Sequence, residues 1–168
     1  HAIRLLPRGV RIEGQIVAFE AQPAFDGAFD ALGFAREDRD YLIAHLRDGE
    51  PASGNHAGLR LHGIDALVLS DCARVLVAAH RGRVEARINA AFRTDRSAQE
   101  YLQEIIESQG CGTIVPEASL AAVRDGRVEG FCVATVISPG VGHVPQVAVA
   151  PEAQGAGLGS LLLGQSLR

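Results

Sequence analysis

The sequence predicts an α/β (α+β) fold, and three observations carry that prediction. Stretches such as Ile12, Gly14, Ile16 and Ala18 alternate with polar neighbours at the period of a half-buried strand. Apolar residues at helical spacing lie between such stretches, bounded by capping residues and glycines. Near the end, Val147–Ala150 runs as a strand through a short loop into glycines and an apolar helix. With 168 residues, 47% of them hydrophobic, the chain has enough apolar surface for one packed core.

The elements follow in order. Arg11–Phe19 is expected as a strand, and Pro23 then opens a helix carrying Phe25, Ala28, Phe29 and Leu32, closed by Gly33. Arg39–Leu46 alternates again through Tyr41 and Ile43, making the head (residues 1–46) strand–helix–strand. Residues 47–58, centred on Pro51, Ser53, Gly54 and Asn55, lack periodicity and form a linker. Beyond it, Leu59–Leu61 is a short strand, and Asp65 caps a helix running to about His80 that Gly82 stops. Ser97-Ala98-Gln99-Glu100 has the capping-box pattern for a second helix, with Tyr101, Leu102, Ile105 and Ile106 on its apolar face and Gly110 at its end. Ser119–Arg124 and Arg127–Ser138 are strands joined by Asp125-Gly126, a two-residue hairpin signal. Pro139-Gly140 turns the chain into Val144–Ala150, and Gly155–Arg168 is helical. Residues 59–168 thus read as a second, larger region.

Composition excludes several classes. All 16 basic residues are arginine, the net charge is −4, and no basic cluster forms, so no nucleic-acid partner is expected. No run approaches the ~18–20 apolar residues of a membrane span. Arginine without lysine, beside abundant alanine and glycine, suggests a GC-rich bacterial gene, and Cys72, Cys111 and Cys132, with no paired spacing, fit a reducing cytoplasm better than a disulfide framework or a zinc site. A chain that opens His1-Ala2-Ile3 without methionine is expected to be a fragment or a processed product.

The chemical signal is the glycine turn. Gln154-Gly155-Ala156-Gly157-Leu158-Gly159-Ser160 leaves backbone N–H groups uncovered at the start of a helix, where the first donors lack internal partners. A dinucleotide fingerprint would place its first glycine directly after the strand, but Pro151–Gln154 intervenes and Ser160 stands at the third glycine position. A nucleotide P-loop requires a lysine, and the chain has none.

Gln154, Gly157 and Gly159 match Gln/Arg-x-x-Gly-x-Gly/Ala, and this stretch resembles the signature of the GNAT acetyltransferase superfamily. The order of elements over Leu59–Arg168 is similar as well. The resemblance implies a mixed, mostly antiparallel central sheet flanked by helices, and acetyl-CoA or coenzyme A as cofactor. It makes Val147, Ala148 and Val149 the strand residues beside the pantetheine arm. Gln154, Gly155, Ala156, Gly157, Leu158, Gly159 and Ser160 become the pyrophosphate nest. The family's base is often a glutamate, and its position falls on His143, an imidazole being a chemically reasonable replacement; a histidine capping the strand entrance or packed beside Gly142 is the alternative. Pro145, without an N–H, marks a bulge or unpaired edge in the same strand. Asn89 and Glu85 are candidates for holding the acceptor, against a turn asparagine and a solvated charge.

The implied reaction is transfer of acetyl to a primary amine of a small-molecule or peptide acceptor by direct attack. The alternative is a catalytically inactive module that binds acyl-CoA. In the head, Phe29-Asp30-Ala31-Leu32-Gly33-Phe34 resembles the family's carboxyl-terminal Tyr-x-x-Leu-Gly-Phe helix, with phenylalanine where the proton-donating tyrosine belongs. Residues 1–46 are therefore expected to be the end of a degenerate GNAT unit, and residues 59–168 the front of another that stops within its cofactor helix; the alternative is a head that folds back and completes the sheet beside Val144–Ala150. The partner would be that second unit or another copy of the chain.

Overall fold

The computed structural model describes residues 23–34, 42–45 and 56–168. The chain divides into two compact units, His1–His45 and Leu46–Arg168.

In the first unit, helix α1 spans Pro23–Ala31. It ends as its sequence demands: Gly33 takes φ +81° and donates to Asp30 O (2.9 Å), while Phe34 N–H donates to Phe29 O (3.1 Å). This paired bonding is the Schellman closure, and the Phe29 and Phe34 rings complete it edge to face at 5.2 Å. The Arg11–Phe19 strand lies outside the described residues. Of Arg39–Leu46, only Leu42–His45 are described; they form no strand, and Leu42 and Ile43 are exposed. Alternation gives a strand only where another edge supplies hydrogen bonds, and among the described residues none pairs with these four.

The second unit is built on a sheet of β1 (Arg60–Gly63), β2 (Thr113–Ile114), β3 (Leu120–Arg124), β4 (Arg127–Ser138) and β5 (Val141–Val149). Every pairing among the described strands is antiparallel, in the order β1-β3-β4-β5. Strand β2 pairs with Thr135 and Val136 of β4, which β5 already flanks on one side. It therefore prolongs the β3 edge beyond a one-turn break at Pro116–Ala118. Ser119 mends that break. Its buried hydroxyl bonds Val115 O (2.9 Å) and takes the N–H of Ala134 (3.1 Å), a donor the interrupted edge would otherwise leave unpaired.

Helices cover both faces. Helix α2 (Ala66–His80) and helix α4 (Asp95–Glu107), with the short α3 (Val84–Ile88) between them, bury Cys72, Leu76, Leu102 and Ile105 against Phe131, Val133 and Ala148. Helix α5 (Leu158–Ser166) lays Leu158 and Leu162 on Ala122 and Cys132 of the opposite face. Asp65 caps α2 as expected, accepting from Leu67 N–H and Val68 N–H. Asp125 and Gly126 take φ +49° and +75° in the β3–β4 turn, as a two-residue hairpin requires.

Several boundaries differ from the sequence expectation. Helix α4 begins at Asp95, capped by Thr94, and Ser97 is its third residue; the two hydroxyl side chains make the reciprocal box. Glu100 instead meets Arg96 one turn away on the exposed surface. The helix ends at Glu107 rather than Gly110, and α5 starts at Leu158 rather than Gly155, because the glycines form the turn before it. Strand β5 starts earlier, at Val141, since the Pro139-Gly140 turn lets pairing with β4 begin at once.

The capping assignment predicts that Thr94→Ala costs about 1 kcal/mol in urea unfolding. Glu100→Ala should stay within roughly 0.5 kcal/mol, and the reverse order would restore the Ser97–Glu100 box. Burial also pushes the Cys72 thiol from 9.0 up to about 12 and the Tyr101 phenol from 10.0 up to about 12. The unfolded chain releases these protons first, so the stability they supply is whole below pH 9 and lost as pH rises toward 12. Urea unfolding across that range should show the decline, and Cys72→Ala with Tyr101→Phe should flatten it.

Candidate active site

Strand β5 carries candidate groups at both its ends. At its carboxyl end, Ala150 leads into the turn Pro151–Ala153 and then the glycines. The Gln154 carboxamide donates to Val149 O (2.9 Å), tying the turn back onto the strand. Gly157, at φ +79°, is the N-cap of α5 and offers no side chain to the helix donors. The first helical bond runs from Leu161 N–H to Gly157 O (3.0 Å), which leaves the N–H groups of the first turn without helical partners. A Cβ at Gly155 or Gly157 would meet nothing within 4 Å. The space above these amides is open, Gln154–Gly157 are exposed, and Leu158 anchors the helix start in the core. The residues present therefore fit a phosphate group: a row of uncovered donors at a helix N-terminus, with room above them.

Val147, Ala148 and Val149 pair with Cys132, Phe131 and Gly130 of β4. Among the described residues no strand pairs with the other edge of β5. Ala148 is buried under α2, whereas Val147 and Val149 pack on the α5 side.

Toward its amino end β5 breaks register. Between the pairs Val133–Gln146 and Thr135–His143, β4 contributes one residue and β5 two, Val144 and Pro145. This is a bulge at the proline, as its missing N–H suggested. His143, half-buried, lies across from Thr135 on the α2/α4 face. Its Nδ1 is 3.4 Å from Cys111 O, and that carbonyl also accepts the Thr135 hydroxyl at 2.5 Å. On α4, burial, then the Cys111 thiol and Glu104, keep the Tyr101 phenol protonated to about 12.

Asn89 and Glu85 sit on the α2–α4 connection. The Asn89 carboxamide oxygen accepts Ala91 N–H (3.0 Å) and so caps the turn Ala90–Phe92. Glu85, half-buried on α3, accepts Asn89 N–H at its backbone oxygen (2.8 Å). The structure thus brings His143 together with Thr135 and the Cys111 carbonyl, neither of which sequence reasoning had joined to it. The available signals were a threonine inside the apolar run Phe131–Ile137 and the glycines flanking Cys111. Among the described residues, no three His, Cys, Asp or Glu side chains gather as a metal site, and no helix is long and apolar enough to cross a membrane.

Solved structures are similar to this chain in fold. A protein of Pyrococcus horikoshii OT3, PH1933, aligns with a TM-score of 0.50 at 19% identity, over 65% of this chain and 69% of that one. A GNAT family acetyltransferase from Brucella melitensis, solved with acetyl-CoA, aligns at 20% identity and TM-score 0.45. That match covers 64% of this chain, which spans only 65% of the Brucella protein. The PaiA N-acetyltransferase of Thermoplasma acidophilum, solved with coenzyme A, gives 22% identity and TM-score 0.48, over 62% and 67% of the two chains. No curated protein sequence matches the chain. The sequence model of the acetyltransferase (GNAT) family matches residues 81–168, from the end of α2 through the glycine turn and α5. With more than half its length inside that model, the chain belongs to the GNAT acetyltransferase family.

Proposed function

We propose that this protein transfers the acetyl group of acetyl-CoA to a primary amine by direct attack, with His143 taking the proton. The observation that carries the reading is the open glycine turn at the start of α5, joined by one strand to a half-buried histidine. From Val149 to His143 is six residues, roughly 20 Å along an extended strand. A ligand that engages both ends needs its phosphates separated from its reacting carbon by a long flexible arm. Coenzyme A has that shape; a nucleoside triphosphate, whose reacting phosphate lies beside the others, does not.

In this reading the first-turn amides of α5 hold the pyrophosphate, and the outer edge of β5 receives the amide groups of the pantetheine arm as another strand would. When bound, acetyl-CoA supplies an activated acyl group. The chain's own contribution is placement and proton removal: an ammonium cannot attack until it loses a proton, and an imidazole accepts one near neutral pH. The acceptor is a small molecule or a peptide bearing the amine, with Glu85 and Asn89 on the neighbouring connection as candidate contacts. A second reading, an acyl-CoA-binding module without catalysis, draws support from the histidine standing where the family often carries glutamate.

Coenzyme A should raise the melting temperature, by the equivalent of about 2.7 kcal/mol at a hundredfold excess over Kd. Gly157→Val places a branched side chain at φ +79° and over the amides, so the coenzyme should no longer shift the melting curve. If millimolar coenzyme A leaves the parent protein's melting unchanged, both readings fall. Offered a panel of primary amines with acetyl-CoA, the enzyme should release free thiol. His143→Ala should reduce that release by about 10²–10⁴-fold while sparing the thermal shift. Coenzyme binding without thiol release from any amine would leave the binding module standing.

A further inference from the structure

The Gly110-Cys111-Gly112 turn has a feature that simple chain reversal does not require. Gly112, at φ +95°, is pressed so close to β4 that a Cβ there would sit 2.6 Å from Val136 O and 2.9 Å from the Ile137 side chain. Such approach brings the preceding carbonyl, that of Cys111, over the sheet. There it accepts the hydroxyl of Thr135, a side chain only 1% exposed, at 2.5 Å. The same oxygen lies 3.4 Å from His143 Nδ1. A carbonyl can only accept, so the imidazole nitrogen facing it carries the hydrogen.

We propose that Thr135 and Gly112 are positioning residues for His143: they hold the Cys111 carbonyl where it keeps the neutral imidazole in its Nδ1–H form and leaves the lone pair on Nε2. This inference rests on the reading of His143 as the base. A base that shuttles between two tautomers presents its lone pair at the right atom for only part of the time. A fixed carbonyl removes that ambiguity, as second partners of functional histidines generally do. It also explains a buried threonine in an apolar strand, because without the turn its hydroxyl would face the core with only His143 O, at 3.5 Å, to meet. The Cys111 thiol has no part in the arrangement; its backbone oxygen does the holding.

The test is the nitrogen spectrum of the intact chain, labelled with ¹⁵N-histidine and read at about pH 9, where an ordinary imidazole is neutral. His143, assigned by its loss in His143→Ala, should show a protonated Nδ1 and an unprotonated Nε2. Gly112→Ala and Thr135→Val should each shift it toward the mixture seen in free imidazole, and Thr135→Ser should keep the parent pattern. In thiol release, Thr135→Val should lower kcat about tenfold with KM for acetyl-CoA unchanged, and Thr135→Ser should restore it. A parent spectrum with the hydrogen on Nε2 would overturn the inference, as would a pattern that both disruptive variants leave untouched. Should Gly112→Ala or Thr135→Val fail to fold, the parent spectrum and Thr135→Ser still decide. The spectrum is independent of turnover, so a chain inactive on every amine refutes the base and leaves the tautomer result standing on its own.

Discussion

Pro145 and the extra residue beside it set which face of the sheet each end of β5 serves. In a regular strand, side chains alternate, so His143 would share a face with Val147 and Val149 and lie beneath α5. The bulge at Val144–Pro145 shifts the register by one, and His143 emerges opposite Thr135, on the face covered by α2 and α4. Ala148 keeps to that same face beyond the bulge. One inserted residue thus lets a single strand run from the α5 turn at one end to the Cys111 turn at the other. A proline suits the position because an unpaired N–H would otherwise need a partner there.

That arrangement requires a partner strand that does not yield, and β4 is built for it. Phe131 and Val133 are buried against α2 and α4, while Cys132 is buried against α5. Burial on both faces replaces simple alternation with a continuous apolar run. Gly130 lets α5 come close, since a Cβ there would lie 3.1 Å from the Leu162 side chain. The α5 amino terminus is consequently fixed against the sheet through Leu158 and Leu162, and its open amides are presented by a rigid element. Ser119 does the equivalent on the far edge, where the chain leaves the sheet between β2 and β3 and one hydroxyl closes the gap in the ladder.

Features decided by a few neighbouring residues were legible in the sequence. Asp125-Gly126, the Asp65 cap and the Phe29–Phe34 helix end all came out as local chemistry requires. The glycine turn was legible for the same reason. The start of α4 was not, because two registers compete: Thr94–Ser97, with serine where the box ordinarily has glutamate or glutamine, and Ser97–Glu100, which fits the pattern. What selects the first is tertiary: the Ser97 hydroxyl also reaches Ala91 O (3.1 Å) and Ala90 O (3.3 Å) in the preceding turn. The short α3 has too few residues for a periodicity to show. Within Arg39–Leu46, the described residues Leu42–His45 form no strand despite the alternation, because alternation does not by itself supply a paired edge.

The surroundings of His143 belong to the least legible class, because a hairpin and a turn distant from it in sequence supply them jointly. The imidazole comes from β5, the hydroxyl from β4 and the carbonyl from a turn more than thirty positions earlier, |i−j| = 32. One of the three contributions, the backbone oxygen of Cys111, is made without regard to side-chain identity, and its placement depends on the absence of a Cβ at Gly112. A reading that searches for reactive side chains is drawn to the cysteine thiol and passes over its carbonyl. The residue types that the geometry constrains are the glycine, because a Cβ in its place would lie 2.6 Å from a strand carbonyl, and the hydroxyl at position 135. The site is therefore organised by close approach of main chain to sheet, and its chemistry becomes visible only once the strand register is known.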